Sequence, residues 1–255
     1  MPWITIMNEV AMSLDDRDWY RDAIRERDAR QNRISGSGNR TVRMSDFSVT
    51  NSKATGIMVL FLILFAVVTY VAAYFVPYPA TVGFIAVNLL IYILVNSNRM
   101  TVNQLGVSCA LVKRYKQWYR IVSSEFTHKE VMHIGCNLYS LYNIGSVLEQ
   151  MIGSVIYIAT YFLIGIVSGL ISFFIHKKYQ PNVVSIGASG IICGLLGVYI
   201  SIAFYHVGFG VLVSVAPTIV IMILMVFSKH IDSIGHFSGL AVGIASGIAI
   251  VKLFY

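Results

Sequence analysis

The sequence predicts an all-α polytopic membrane protein, and three observations carry that prediction. The chain has 255 residues, 56% of them hydrophobic, with a mean hydropathy of +0.71. That is too apolar for a solvated globular surface. From residue 55 onward seven stretches read as spans, roughly 56–77, 79–97, 131–149, 152–175, 185–205, 207–228 and 231–254, against the ~20 apolar residues that a crossing helix needs. Each is a continuous apolar run and not a ten-residue alternation, which argues for helices over a β-barrel. Charge is partitioned as well. Residues 1–54 carry nine Lys/Arg and eight Asp/Glu, and the other 201 carry ten and four. The basic excess near the membrane suits lipid headgroups and not nucleic acid.

Taken in order, residues 1–54 form a polar, flexible N-terminal tail. Within it, 14–33 is dense in alternating charge and reads as a solvated helix, while 34–40 (Ile-Ser-Gly-Ser-Gly-Asn-Arg) reads as a linker. No secretory signal pattern precedes the first apolar run. Residues 55–78 form an extra transmembrane helix, stopped by Pro77-Tyr78-Pro79. Residues 79–255 form the remaining six-helix unit. Its longest connection, 98–130, mixes Lys113, Arg114, Lys116 and Arg120 with Trp118 and Tyr119, a combination suited to the headgroup region. Cys109, Cys136 and Cys193 have no paired spacing and read as small apolar filler.

The chemistry lies in two glycine-rich segments. One is Gly187-Ala188-Ser189-Gly190, followed by Gly194 and Gly197; the other is Gly235-His236-Phe237-Ser238-Gly239, followed by Gly243 and Gly247. Small residues at four-residue spacing let membrane helices touch. Such packing can assemble a serine and a histidine inside a bilayer. Three classes of membrane-embedded hydrolase make different demands on a sequence. The aspartyl type needs two intramembrane aspartates, and past residue 54 the sequence holds only Asp232. The zinc type needs histidines four apart on one helical face, whereas His128 and His133 are five apart; no metal or cofactor is implied. The serine type needs a nucleophile, a base and oxyanion donors. Ser189 and His236 fill the first two roles as a dyad, because no aspartate stands out as a third member. Alone, Ser189 would read as a packing residue, and His236 as a hydrogen-bonded structural histidine. Gly187 and Gly190 leave space for a peptide to approach. His133 and Asn137, four apart, share a helical face and can donate to an oxyanion; the alternative is a polar clamp between helices.

These motifs, in this order, resemble the rhomboid family of intramembrane serine proteases. The likeness covers about residues 79–254 and rests on Gly187-Ala188-Ser189-Gly190, on His236 with Gly239 and Gly243, and on His128, His133 and Asn137. Tyr119-Arg120 is similar to the family's Trp-Arg pair, and Gly145 with Glu149 fits the end of the same helix. The resemblance implies a six-helix rhomboid-like core behind one added N-terminal helix. It implies attack by Ser189 on a substrate's transmembrane segment, with His236 as base and with His133, Asn137 and the Ser189 amide holding the oxyanion. It implies a hydrated cavity near the outer leaflet, and the 207–228 span with its following loop as a lateral gate. Two departures stand out: Cys193 replaces the aromatic that the family places four residues after the serine, and Tyr119 replaces a tryptophan.

Seven crossings put the tail, 98–130, 176–183 and Lys229 on one side, with nearly every Lys/Arg. The positive-inside rule makes that side cytoplasmic, while the usual bacterial arrangement of the family puts 98–130 outside. Either the core is inverted, or 56–77 stops short of crossing, or the charge rule fails. The expected location is multi-pass, in a bacterial plasma membrane. Two other readings stay open: an inactive rhomboid-like protein that binds membrane clients, and a small transporter or channel.

Overall fold

The computed structural model describes residues 51–97, 102–109, 112–113, 116–179, 184–210, 213, 216, 219–220 and 232–255. The polar tail up to residue 50, Lys229, and most of the 207–228 span and its following loop lie outside the described residues.

Among the described residues six long helices dominate. Helix α1 is Asn51–Ala72 and α2 is Pro79–Asn96. Helix α3 runs over 131–152 as an α segment Val131–Ser140, a π-helical turn Leu141–Gly145 and an α segment Ser146–Ile152. Helix α4 is Ser154–Tyr179, α5 is Ser189–Val207 and α6 is Ser233–Phe254. Four helices, α2, α4, α5 and α6, are each long and apolar enough to span a bilayer, and α1 adds a shorter apolar stretch, Met58–Ala72. The protein is an integral, multi-pass, all-α membrane protein. Among the described residues the one β feature is a bridge between Val107 and Ser185.

The order of the helices follows from local chemistry. Pro79 opens α2 at a position where its missing N–H costs nothing. The next two amides, of Ala80 and Thr81, would be orphaned at a buried helix start. Glu149 of α3 accepts both, at 2.8 and 2.7 Å, and also the Ser154 hydroxyl at 2.6 Å. One carboxylate thus satisfies the α2 N-terminus and ties the α3–α4 corner to it. That corner turns at Gly153, whose φ of 76° is left-handed. The core beneath is aromatic and aliphatic: Phe84, Ile91, Leu148, Tyr157, Tyr161 and Leu195 are all fully buried, and the Phe84 and Tyr161 rings stack with centroids 3.7 Å apart.

Helices α5 and α6 start at the same end and run side by side in parallel. A Cβ on Gly239 would overlap the Gly190 carbonyl, and one on Gly243 the Gly194 carbonyl. Further along, a Cβ on Gly197 would lie 2.8 Å from the Leu240 carbonyl oxygen, and one on Gly247 2.6 Å from Ser201 Cβ. Glycine spacing along both sequences therefore becomes backbone-to-backbone contact. Where the two helices begin, Ser189 and His236 meet.

The 102–130 connection folds over that end around Arg120, which is fully buried. Its Nε donates to Gln117 Oε1 at 2.8 Å and its guanidinium reaches the Gly106 carbonyl at 2.9 Å. Ser123 Oγ donates to the Leu105 carbonyl at 2.7 Å, and the Tyr119 hydroxyl to that of Gln104 at 3.1 Å.

Candidate active site

Ser189 is the first residue of α5, and His236 lies in the first turn of α6. The His236 Nε2 to Ser189 Oγ distance is 2.6 Å, with His236 buried. That is the geometry of a hydroxyl proton shared with an imidazole nitrogen. Nε2 must be the unprotonated nitrogen to accept it, which leaves the proton on Nδ1. His236 Nδ1 makes no hydrogen bond among the described residues.

Helix α3 faces the serine loop. Gly187 has φ of 110°, a conformation that favours glycine. A Cβ there would lie 2.6 Å from His133 Cε1 and Nε2 and 3.7 Å from Asn137 Nδ2. The empty space over Gly187 is thus bounded by the two side chains expected to be oxyanion donors. Gly187 is pinned from behind, because its amide donates to the Ser124 carbonyl at 2.9 Å. Gly190 has two neighbours: it lines the cavity, and a Cβ on it would lie 3.3 Å from the Gly235 carbonyl oxygen. Closeness of α5 to α6 therefore gives this glycine a packing role beside the peptide access expected of it.

His128 makes a contact that spacing alone does not disclose. Its Nε2 lies 2.7 Å from Asn137 Nδ2 and accepts the Ala188 amide at 3.4 Å. Burial, and then the neighbouring His133, push the His128 value down to about 3. It is a neutral acceptor that orients Asn137 and the residue before the serine.

A small cavity of about 40 Å³ opens beside Ser189 and His236. Its wall includes His133, Gly187, Ser124, Glu125, Ser172 and Asp232. Burial pushes the Glu125 carboxyl well above the usual carboxylate range, and Asp232 adds to that. For Asp232, burial also acts upward, but hydrogen bonds from His176, Ser172 and the Gly235 amide outweigh it and hold the carboxyl below its usual value. Asp232 is the N-cap of α6. A lone acidic residue just before an apolar run signals such a cap in the sequence. Its partners on α4, 56 and 60 residues away, carry no such signal. Cys193, at the family's aromatic position, is buried. No group of three or more His, Cys, Asp or Glu side chains among the described residues is arranged to hold a metal ion.

Comparison with known proteins bears on this arrangement. The family model described as the Rhomboid domain matches residues 115–253. Among similar proteins, Rhomboid-like protease 2 of Toxoplasma gondii is 28% identical over 153 residues, 58% of this chain and 53% of that protein. Rhomboid protease GluP of Bacillus subtilis is 27% identical over 177 residues, 66% of this chain and 34% of that one. RHOMBOID-like protein 5 of Arabidopsis thaliana is 30% identical over 157 residues, 59% of this chain and 50% of that one. The chain thus spans about half the length, or less, of these relatives. The matched segment holds both glycine-rich motifs, α3 and the Ser189–His236 contact, more than half of the sequence, and with it this chain belongs to the rhomboid family.

Proposed function

We propose that the protein is an intramembrane serine endopeptidase that cleaves transmembrane segments with a Ser189–His236 dyad. The observation that carries this reading is the 2.6 Å contact between Ser189 Oγ and His236 Nε2, made within a membrane-embedded bundle. A hydroxyl is a weak nucleophile until a base takes its proton. His236 Nε2 removes it as Oγ attacks the scissile carbonyl, and returns it to the leaving amide nitrogen. The tetrahedral oxygen then carries a negative charge. The Ser189 amide, at the first position of α5, has no partner within its own helix. It points at the oxyanion together with His133 and Asn137, which flank the space over Gly187. Water enters through the polar-walled cavity and releases the acyl group, with His236 again as base. The substrates are transmembrane proteins in which a helix is locally unwound, since an intact helix hides its carbonyls in hydrogen bonds.

The test is cleavage of a reconstituted transmembrane substrate by the wild type, S189A and H236A, alongside labelling with a fluorophosphonate. Cleavage and labelling by wild type alone are expected, with both variants down by at least about 10³-fold. Cleavage that survives S189A overturns the assignment of the nucleophile. A wild type that neither labels nor cleaves overturns the protease reading in favour of a client-binding protein.

A further inference from the structure

We infer that Asp232 is a positioning residue for the dyad: its carboxylate clamps the start of α6 to α4 and the serine loop, and its charge offsets the helix end at which His236 must become a cation. This inference rests on the protease reading.

The clamp is explicit in the geometry. Asp232 Oδ1 accepts from His176 Nε2 at 3.1 Å and from the Gly235 amide at 3.0 Å. Oδ2 accepts the Ser172 and Ser185 hydroxyls at 2.7 and 2.9 Å. Both oxygens are thus doubly occupied, by three separate elements. Ser172 and His176 are four apart on the face of α4 that also carries Gly165, Ser168 and Gly169. Ser185 leads into Gly187 and Ser189, and its backbone is bridged to Val107. Gly235 immediately precedes His236. The carboxylate is therefore where the serine loop and the histidine helix are held to a common support. Because its oxygens are taken up in this way, Asp232 orients His236 through the backbone and not as the third member of a triad.

The charge matters for a second reason. Helices α5 and α6 both begin at the cavity, so two positive helix ends converge there. They favour the oxyanion and oppose the imidazolium that forms on His236 in the same step. A carboxylate at the N-cap of α6 offsets that opposition one turn from the imidazole. The other titratable groups here are Glu125 from the overlying loop and His133 from α3, both on the cavity, and His176 from α4, which meets Asp232. None of these is on α6 or caps it.

D232N tests the proposal in the full chain, because asparagine is also a good N-cap and has nearly the same volume, but carries no charge. Active sites are counted by endpoint fluorophosphonate labelling, and cleavage of the same reconstituted substrate is followed per labelled site. The expected result is a labelled fraction and melting temperature close to wild type, KM within about twofold, and kcat per site lower by about tenfold to thirtyfold. A D232N protein with wild-type kcat per site, or one that loses labelled sites while each remaining site turns over normally, overturns the inference, since either result is what a merely structural cap would give. If D232N does not fold, H176A and H176Q decide. H176A is expected to lower kcat per site, and H176Q, which keeps a donor to the carboxylate, to restore most of it. Equal turnover in both and in wild type overturns the proposal. A wild type without labelling or cleavage removes the protease reading, and this inference falls with it.

Discussion

His128 shows how a side chain with no direct part in bond making can still set the site. Its Nε2 receives both the Asn137 amide and the Ala188 N–H, so it must be neutral. Its value of about 3 keeps it so at any pH above about 4. Loss of activity on acidification is therefore expected to come from a group other than His128. Removing it leaves two buried donors unsatisfied, at about 1–3 kcal/mol each, and frees Asn137 to rotate. H128A is expected to lower kcat/KM by at least about tenfold. N137A, which deletes one of the proposed oxyanion donors outright, is expected to cost about 10²-fold or more. Steady-state cleavage of a reconstituted substrate orders the two; H128A falling further than N137A would mean that His128 touches the substrate itself.

The pairing of α5 with α6 was legible in the sequence as two glycine stripes, because four-residue spacing lines one helical face whatever the partner. G243L puts four heavy atoms where the Gly194 carbonyl sits. Overpacking of this kind costs about 1–3 kcal/mol, and here it also parts Ser189 from His236. Lower thermal stability in detergent and loss of fluorophosphonate labelling are expected together. G56L, at a glycine with nothing within 4 Å of its would-be Cβ, is the control that changes neither. Other features were not legible. The π-helical turn at Leu141–Gly145 arises where α3 passes α2 and α4: a Cβ on Gly145 would run into the Tyr157 hydroxyl and lie 3.1 Å from Thr81 Oγ1. That is a tertiary demand with no local pattern. The same holds for Glu149, which reads as a helix-end acid until its partners, the amides of Ala80 and Thr81, are brought to it from 69 and 68 residues away. The Ser189–His236 contact could be anticipated because the two glycine-flanked residues stand out in apolar surroundings. The Asp232 cluster could not, since Ser172 and His176 look like ordinary members of a long helix.

The molecule carries its own membrane frame. The dyad end is marked by Trp118, Lys113, Lys116, Lys177 and Lys178, and the opposite end by Tyr70, Tyr74 and Tyr78 around the α1–α2 turn, where the Tyr70 and Tyr74 hydroxyls are 2.7 Å apart. Cations and aromatics of this kind settle at the two interfaces. Helix α1 has 22 residues, about 33 Å at 1.5 Å per residue, against a hydrocarbon core of about 30 Å. Its apolar part, Met58–Ala72, is shorter, but the whole helix is long enough to cross with the tyrosines at one interface. A crossing α1 fixes one relation that holds whichever way the core faces: the N-terminal tail lies on the same side as the dyad end. Single cysteines at Ser37, Lys178 and Tyr74, introduced into a chain with C109S, C136S and C193S, make this measurable in sealed vesicles. A membrane-impermeant maleimide is expected to treat S37C and K178C alike and Y74C oppositely. If S37C instead reacts with Y74C, α1 does not cross, and the tail and the dyad lie on opposite sides of the membrane. Reaction of K178C from the outer face would set the core in the family's usual bacterial orientation, against the positive-inside rule, because Lys113, Lys116, Arg120, Lys129, Lys177 and Lys178 cluster at that end and only Lys252, among the described residues past 54, lies at the other.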